Sequence, residues 1–428
     1  MRDILKPFRP ALVTGQARSR SRRTVIAVAA VATSAAVAAS AVAVSARAAT
    51  AGAARPQVAS GPGHWVQVTP KGTENIADVG LARGSDGVLH VLWTEGQSGG
   101  HQKIMDTPLA PKGAPGKTAT IASGLWIASY PDATVTPSGL YVLWNGDKTG
   151  NPNTPLGTFW ATRPLKGGTW KLGGNVPPLT GVPETTTTET ATTGGDGKPW
   201  ISYTDTDALV VLHLGQKEAK IAPTQCCVYY PGMATDGKSG ATWLAYMSLI
   251  NGSQGIFLQK LSKNAASGKA VRLPGTVTAG SVYPLSQRIG VTGRGKGRGG
   301  VYVLYGAGYP SYTSLNLIAA GAAKPVKLAT FSGFSEQVAG DTIAAGPDGR
   351  LWATWWDGAG TSPQLFVRAT TKATNTAFGK AVKVSLPAGT STIWRVYTSA
   401  QAGRLDVVAL LTRGSNTAYW ATQVPLPK

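Results

Sequence analysis

The chain is predicted to be all-β, a seven-bladed β-propeller of four-stranded blades whose last blade is closed by the N-terminal strand. Three observations carry that expectation. Gly and Pro number 54 and 28 among 428 residues, which favours turns over long helices because both residues interrupt helices. One unit recurs seven times: a strand, a Gly- or Asp-Gly-containing turn, and a strand ending in a large side chain. The fourth strand that the seventh copy lacks is found near residue 65, ahead of the first copy.

The copies follow one another along the chain. Gly84-Ser85-Asp86-Gly87 precedes segment 88–93, and Pro137-Ser138-Gly139 precedes 140–144. Gly195-Asp196-Gly197 leads into 198–203, and Thr235-Asp236-Gly237 precedes 241–246. The Gly-rich stretch 292–300 comes before 301–305, Gly346-Pro347-Asp348-Gly349 before 350–356, and Gln401-Ala402-Gly403 before 404–411. Asp-Gly is a strong hairpin signal, because Gly accepts the positive φ that such turns need. The residues ending these strands are Trp93, Trp144, Tyr203, Tyr246, Tyr305, Trp356 and Leu411, spaced 43 to 59 residues apart. That spacing suits a four-stranded propeller blade.

Each unit continues with two more strands, read in the second copy as 158–165 and 168–172. The last copy reaches Tyr419-Trp420-Ala421-Thr422 and then stops, while Gly63-His64-Trp65-Val66 matches Gly168-Thr169-Trp170-Lys171 of the complete copy. An N-terminal strand that completes the last blade leaves no open sheet edge. In Leu140-Tyr141-Val142-Leu143-Trp144 both faces are apolar, as a strand between two sheets requires. Most of the 13 Trp are therefore expected to pack between blades.

The propeller is expected over residues 62–428, after an export signal over 1–51 and a disordered linker over 52–61. Residues 1–23 hold seven Lys/Arg and one acid, an uncharged apolar run spans 25–44, and small residues crowd 45–54. This is the order of an export signal. Ser21-Arg22-Arg23-Thr24 resembles a twin-arginine signal, with cleavage expected near 48–51. The product is expected to be a secreted or cell-wall-associated monomer with no stable membrane span. Residues 1–51 carry eight Lys/Arg and one Asp, so their removal leaves about +14 of the formal +21. The remaining cations are dispersed singly among loops. Their one cluster, Arg294-Gly295-Lys296-Gly297-Arg298, reads as a solvated Gly-rich turn, and no nucleic-acid partner is expected.

The Asp-Gly-x-hydrophobic-Trp strand pattern resembles the secreted BNR/sialidase-like propeller superfamily. The resemblance spans the region after the signal and implies the propeller fold. The spacer residues of a sialidase Asp-box are missing around Ser85-Asp86-Gly87, and no Arg-Ile-Pro element occurs. Fold resemblance does not transfer an activity.

In a propeller the loops leading into each first strand, with those joining second to third strands, share one face. The Asp-Gly turns lie on the other. The first set is the richer in aromatic, Arg and acidic residues, which suits an aromatic-walled ligand funnel. Its candidate ligand-binding residues are Trp126, Tyr130, Asp132, Cys226, Cys227, Tyr229, Tyr230, Tyr283, Arg288, Glu336, Trp394, Arg395 and Tyr397. Cys226 and Cys227 are the only cysteines and are adjacent. Oxidising surroundings favour a disulfide between them, although their close Cα spacing demands a distorted peptide. Such a ring would offer a flat platform to a ligand. Two thiols and four scattered His do not make a zinc signature, and neither metal nor cofactor is expected. Glycosidase chemistry needs two facing carboxylates; acids occur on these loops, but no motif pairs them. The leading expectation is a secreted, non-enzymatic propeller that recognises glycan or cell-wall polymer. A sialidase-like glycoside hydrolase or polysaccharide lyase and a protein-interaction scaffold are the alternatives.

Overall fold

The computed structural model describes residues 64–70, 79–96, 101–149, 157–176, 189–204, 208–216, 219–221, 228–248, 254–262, 265–266, 268–276, 289–307, 313–331, 342–357 and 363–426. The expected signal and linker lie outside them. Among the described residues no helix is long and apolar enough to cross a membrane.

Seven antiparallel sheets follow one another, and each is a blade. Blade 1 consists of Gly80–Arg83, Leu89–Glu95, Gln102–Leu109 and Ala119–Leu125. Blade 2 has Ile127–Thr136, Gly139–Asp147, Gly157–Arg163 and Lys171–Val176; blade 3 has Glu189–Thr193, Pro199–Thr204, Leu209–His213 and Ala219–Lys220. Blade 4 runs through Val228–Thr235, Thr242–Ser248 and Gly255–Ser262, whose outer side pairs with both Ala265–Ala266 and Val271–Arg272. Blade 5 has Gly290–Gly293, Val301–Ala307, Ser314–Ala319 and Val326–Thr330, and blade 6 has Thr342–Ala345, Leu351–Asp357, Gln364–Ala369 and Val382–Val384. In blade 7, Thr390–Gln401, Arg404–Arg413 and Asn416–Pro425 are joined by Val66–Gln67. Val66 pairs with Ala421 and Gln67 with Trp420. The N-terminal strand thus closes the last blade, as the sequence predicts.

The first strand of every blade touches the first strand of the next, and Thr390–Gln401 returns to Gly80–Arg83. These inner strands converge, so they are rich in Gly, Ala and Thr. A Cβ on Gly80 would lie 2.9 Å from the backbone of Asp132. Threonines tie neighbours together: Thr134 meets Thr193 at 2.9 Å, and Thr342 meets Thr398 at 3.0 Å.

Between blades lie seven apolar clusters, one at each junction. Alternation along the second strands supplies them. Val142 and Trp144 face blade 1, while Leu143 faces blade 3. Val303 and Tyr305 pack against blade 4, and Leu304 against blade 6. All seven large residues ending the second strands are buried.

Three of the four Asp-Gly turns repeat one geometry, and the fourth, at Asp236-Gly237, places its positive φ at Gly240 instead. Gly87, Gly197 and Gly349 have φ near +80° (81°, 80° and 84°), where a side chain would be strained. Each donates its N–H to the carbonyl three residues earlier, and the Asp carboxylate accepts the N–H two residues later. We call this side of the ring the turn face. The opposite side, where first strands begin and second strands end, is the loop face.

Candidate functional site

The loop face is where the sequence places its ligand residues. Trp126 links the outer strand of blade 1 to the inner strand of blade 2, and its N–H donates to the Asp147 carbonyl at 2.7 Å. Its ring is 40% exposed. Beside it the Asp147 carboxylate accepts from the Thr149 N–H at 2.8 Å and hydroxyl at 2.9 Å. Lys148 Nζ lies 5.3 Å from the Phe159 ring centre.

Trp394 sits near the loop-face start of the inner strand of blade 7. The ladder with Arg404–Arg413 shifts register between Ile393 and Arg395, which leaves Trp394 unpaired at a bulge. A bulge re-aims its side chain; the Trp394 ring is 49% exposed and its indole N–H donates to Thr412 Oγ1 at 2.7 Å. Arg395 is half-buried and donates to the Trp394 carbonyl at 3.0 Å. Nearby, the Arg413 guanidinium lies 4.6 Å from the Trp420 ring centre and donates to the Ala388 carbonyl. Thr412 and Arg413 were not among the expected site residues. The hairpin joining second to third strands at 413–416 marks them as loop-face residues in sequence.

Other expected residues are held by the ring itself. Asp132 accepts from the N–H of Ala133 at 2.7 Å and of Ala191 at 2.9 Å, joining the inner strands of blades 2 and 3. Tyr397 is buried and packs 6.2 Å from Tyr419 in the junction between blades 7 and 1. Tyr130 and Tyr229 lie within inner strands at matching bulges, Ser129 to Asp132 and Tyr229 to Gly232. Each bulge contains a Tyr-Pro pair, Tyr130-Pro131 and Tyr230-Pro231; Pro has no N–H to give the ladder. The side chains of Tyr130, Tyr229 and Tyr230 lie outside the described set, as do Cys226, Cys227, Tyr283, Arg288 and Glu336 entirely.

Buried polar networks occupy the turn side. His90 Nδ1 lies 2.8 Å from Asp106 Oδ2, the Trp170 indole donates to that oxygen at 2.8 Å, and Arg163 contacts the His90 ring. His90 and Asp106 are sealed from solvent, so the group fastens blade 1 to blade 2. Between blades 7 and 1, Asp406 accepts from Arg83 at 2.6 Å and from Gln401 and Gln423 at 2.7 Å. Burial pulls the Arg83 guanidinium below its ordinary pKa, and Asp406 opposes that pull. Among the described residues no group of three or more His, Cys, Asp or Glu is placed to hold a metal ion.

No protein-family model matches the chain, and no curated protein matches it. Solved structures do. An ulvan lyase, a polysaccharide lyase solved with a glucuronate-rhamnose sulfate ligand, superposes with a TM-score of 0.53 at 11% identity, covering 85% of this chain and 96% of its own. The polysaccharide lyase Uly1 gives 0.51 at 11% identity, over 83% and 91%. The NanB sialidase of Streptococcus pneumoniae gives 0.51 at 8% identity, over 84% and 70%. At these identities the likeness establishes a shared fold.

Proposed function

We propose that this protein is a carbohydrate-binding propeller whose site is on the loop face, with Trp126 and Trp394 as its aromatic platforms. One observation carries the reading. Of 13 tryptophans, all described, eleven are buried or half-buried, and the two exposed ones both stand on the loop face. Leaving two indoles part-exposed forgoes about 1 kcal/mol of burial each, a cost that a ligand stacking on them offsets. Pyranose rings present apolar C–H faces that suit indoles, while Arg395 and the hydroxyl of Thr412 provide polar contacts close by. The three solved propellers are named as carbohydrate-active enzymes, which supports this ligand class. The reading includes export to a compartment where such polymers are met.

The test is a glycan array with the full chain, paired with a Trp126→Ala/Trp394→Ala variant. The wild-type protein retains a defined set of glycans, and the double variant loses at least tenfold in affinity with an unchanged Tm. Incubating each bound glycan with the protein and assaying for new reducing or unsaturated ends separates binding from cleavage; the present reading expects none. An array without hits, or equal binding by the double variant, overturns it.

A further inference from the structure

The turn face has a second feature, independent of the tryptophans. Apart from the cluster at 294–298, its cations are isolated in sequence. The ring brings them together, because every Asp-Gly turn and every turn joining a third to a fourth strand lies on the same side. Blades 4 to 6 concentrate them. Lys238, Lys296, Arg298, Lys324 and Lys372 are exposed there and Arg350 is half-buried. The acids of the described turns in this sector are Asp236 and Asp348.

Both carboxylates are engaged by their own turns. Asp236 accepts from the N–H groups of Lys238 at 2.8 Å, Ser239 at 2.9 Å and Gly300 at 2.8 Å. Burial alone would raise its pKa, but these N–H donors outweigh burial and hold it below the ordinary carboxylate value. Asp348 accepts from the Arg350 N–H at 3.2 Å and lies 3.6 Å from its guanidinium. These six cations alone exceed the two acids by four positive charges, and exposed Lys269 and Lys380 of the neighbouring third-to-fourth turns add to the excess.

The Gly-rich loop at 294–299 holds the sector in one arrangement. Gly237 donates to the Arg294 carbonyl and Gly297 to the Gly237 carbonyl, each at 3.1 Å, stitching blade 5 to blade 4. Arg294 is buried 4.9 Å from the Tyr302 ring centre and reaches the Asn375 carbonyl of blade 6. Arg298 packs over Gly349. The backbone of the loop that carries Lys296 and Arg298 is therefore tied to the blades on both sides, which reduces the ordering cost of binding there.

We propose that this basic sector docks the protein on a linear carbohydrate polyanion bearing sulfate or carboxylate groups. The surface favours that class over other polyanions. Neither exposed tryptophan lies on it, so unpaired bases find no exposed indole to stack on. It is built of short turns, and among the described residues there is no helix, the element that most DNA-binding modules place in the major groove. The exposed large apolar side chains at its edge, Val271 and Val326, are short aliphatics that begin the outer strands of blades 4 and 5, and no exposed aromatic among the described residues stands there to insert into a lipid surface. Contact is Coulombic, steered by a single-sign patch and screened by salt.

Fluorescent heparin oligosaccharide is the probe, titrated into the full chain, with duplex DNA and phosphatidylserine vesicles as parallel arms. Release of about four counterions predicts that affinity falls by about two orders of magnitude between about 50 and 200 mM salt. Lys238→Glu/Lys296→Glu/Arg298→Glu weakens heparin binding at least tenfold and leaves glycan binding at the loop face intact. The same triple change to Gln, with an unchanged Tm, gives an intermediate loss and rules out misfolding as the cause. Absent heparin binding, an unaffected triple variant, or tighter binding to DNA or vesicles at equal salt overturns the proposal. None of these results bears on the loop-face tryptophans, so the two readings fail separately.

Discussion

Tryptophan divides the molecule at the scale of the residue. Trp93, Trp144 and Trp352 are fully buried, while Trp126 and Trp394 stand in solvent. Composition could not make that division, but position in the repeat could. Trp93 and Trp144 end second strands between two apolar sheets; Trp126 and Trp394 begin inner strands. Tyr397 does not follow its loop. Three residues past Trp394, it alternates into the junction with blade 1, and strand periodicity rather than loop composition decides its role. Tyr305 gives a pH test. Its hydroxyl donates to the Pro274 carbonyl at 3.0 Å, and burial pushes its pKa up to about 12. A raised pKa means that its stabilisation is complete below the ordinary value of 10.0 and is lost as pH rises through about 12. Tyr305→Phe should cost about 1 kcal/mol at neutral pH through the lost hydrogen bond. Its stability should then fall less steeply than wild type between about pH 10 and 12, measured by urea unfolding. Equal slopes would show that Tyr305 does not govern alkaline unfolding.

The segment 64–70, with its strand Val66–Gln67, is the element on which the ring depends. Val66 and Gln67 pair with blade 7, Val68 donates its N–H to the Tyr419 carbonyl at 2.8 Å, and the Trp65 indole reaches the Ser385 carbonyl at 2.6 Å. Without it, Asn416–Pro425 is an unpaired edge. Deleting residues 64–70 should lower Tm by more than about 5 °C and promote self-association through that edge. Calorimetry and size-exclusion chromatography would read both; an unchanged Tm would mean that the closure carries no stability. This element was legible because its sequence repeats the fourth strand of blade 2. The paired bulges at Tyr130-Pro131 and Tyr230-Pro231 were not, since a Tyr-Pro pair reads equally well as a loop. Thr412 and Arg413 lack an aromatic signal in sequence; only their place beside the hairpin joining second to third strands puts them on that face.

For the whole molecule, seven copies of one unit create two faces with different chemistry. Blade number and closure follow from the repeat, since each second strand must be apolar on both sides. Charge distribution does not follow from sequence so directly. Lys238, Arg298 and Arg350 are 52 to 60 residues apart in sequence, and only the ring brings them to adjoining turns. Heparin binding by the turn face and glycan binding by the loop face should therefore be simultaneous and independent. Saturating one site should leave affinity at the other within about twofold; strong mutual exclusion would mean that the two faces are not separate sites.

The most direct test of the account is oxidative footprinting of tryptophan, read by mass spectrometry with and without a glycan found on the array. Only Trp126 and Trp394 should be oxidised rapidly in the free protein, and the glycan should protect both. Rapid oxidation of Trp93 or Trp144 would contradict the propeller packing. Full oxidation of Trp126 and Trp394 beneath a saturating glycan would contradict the site.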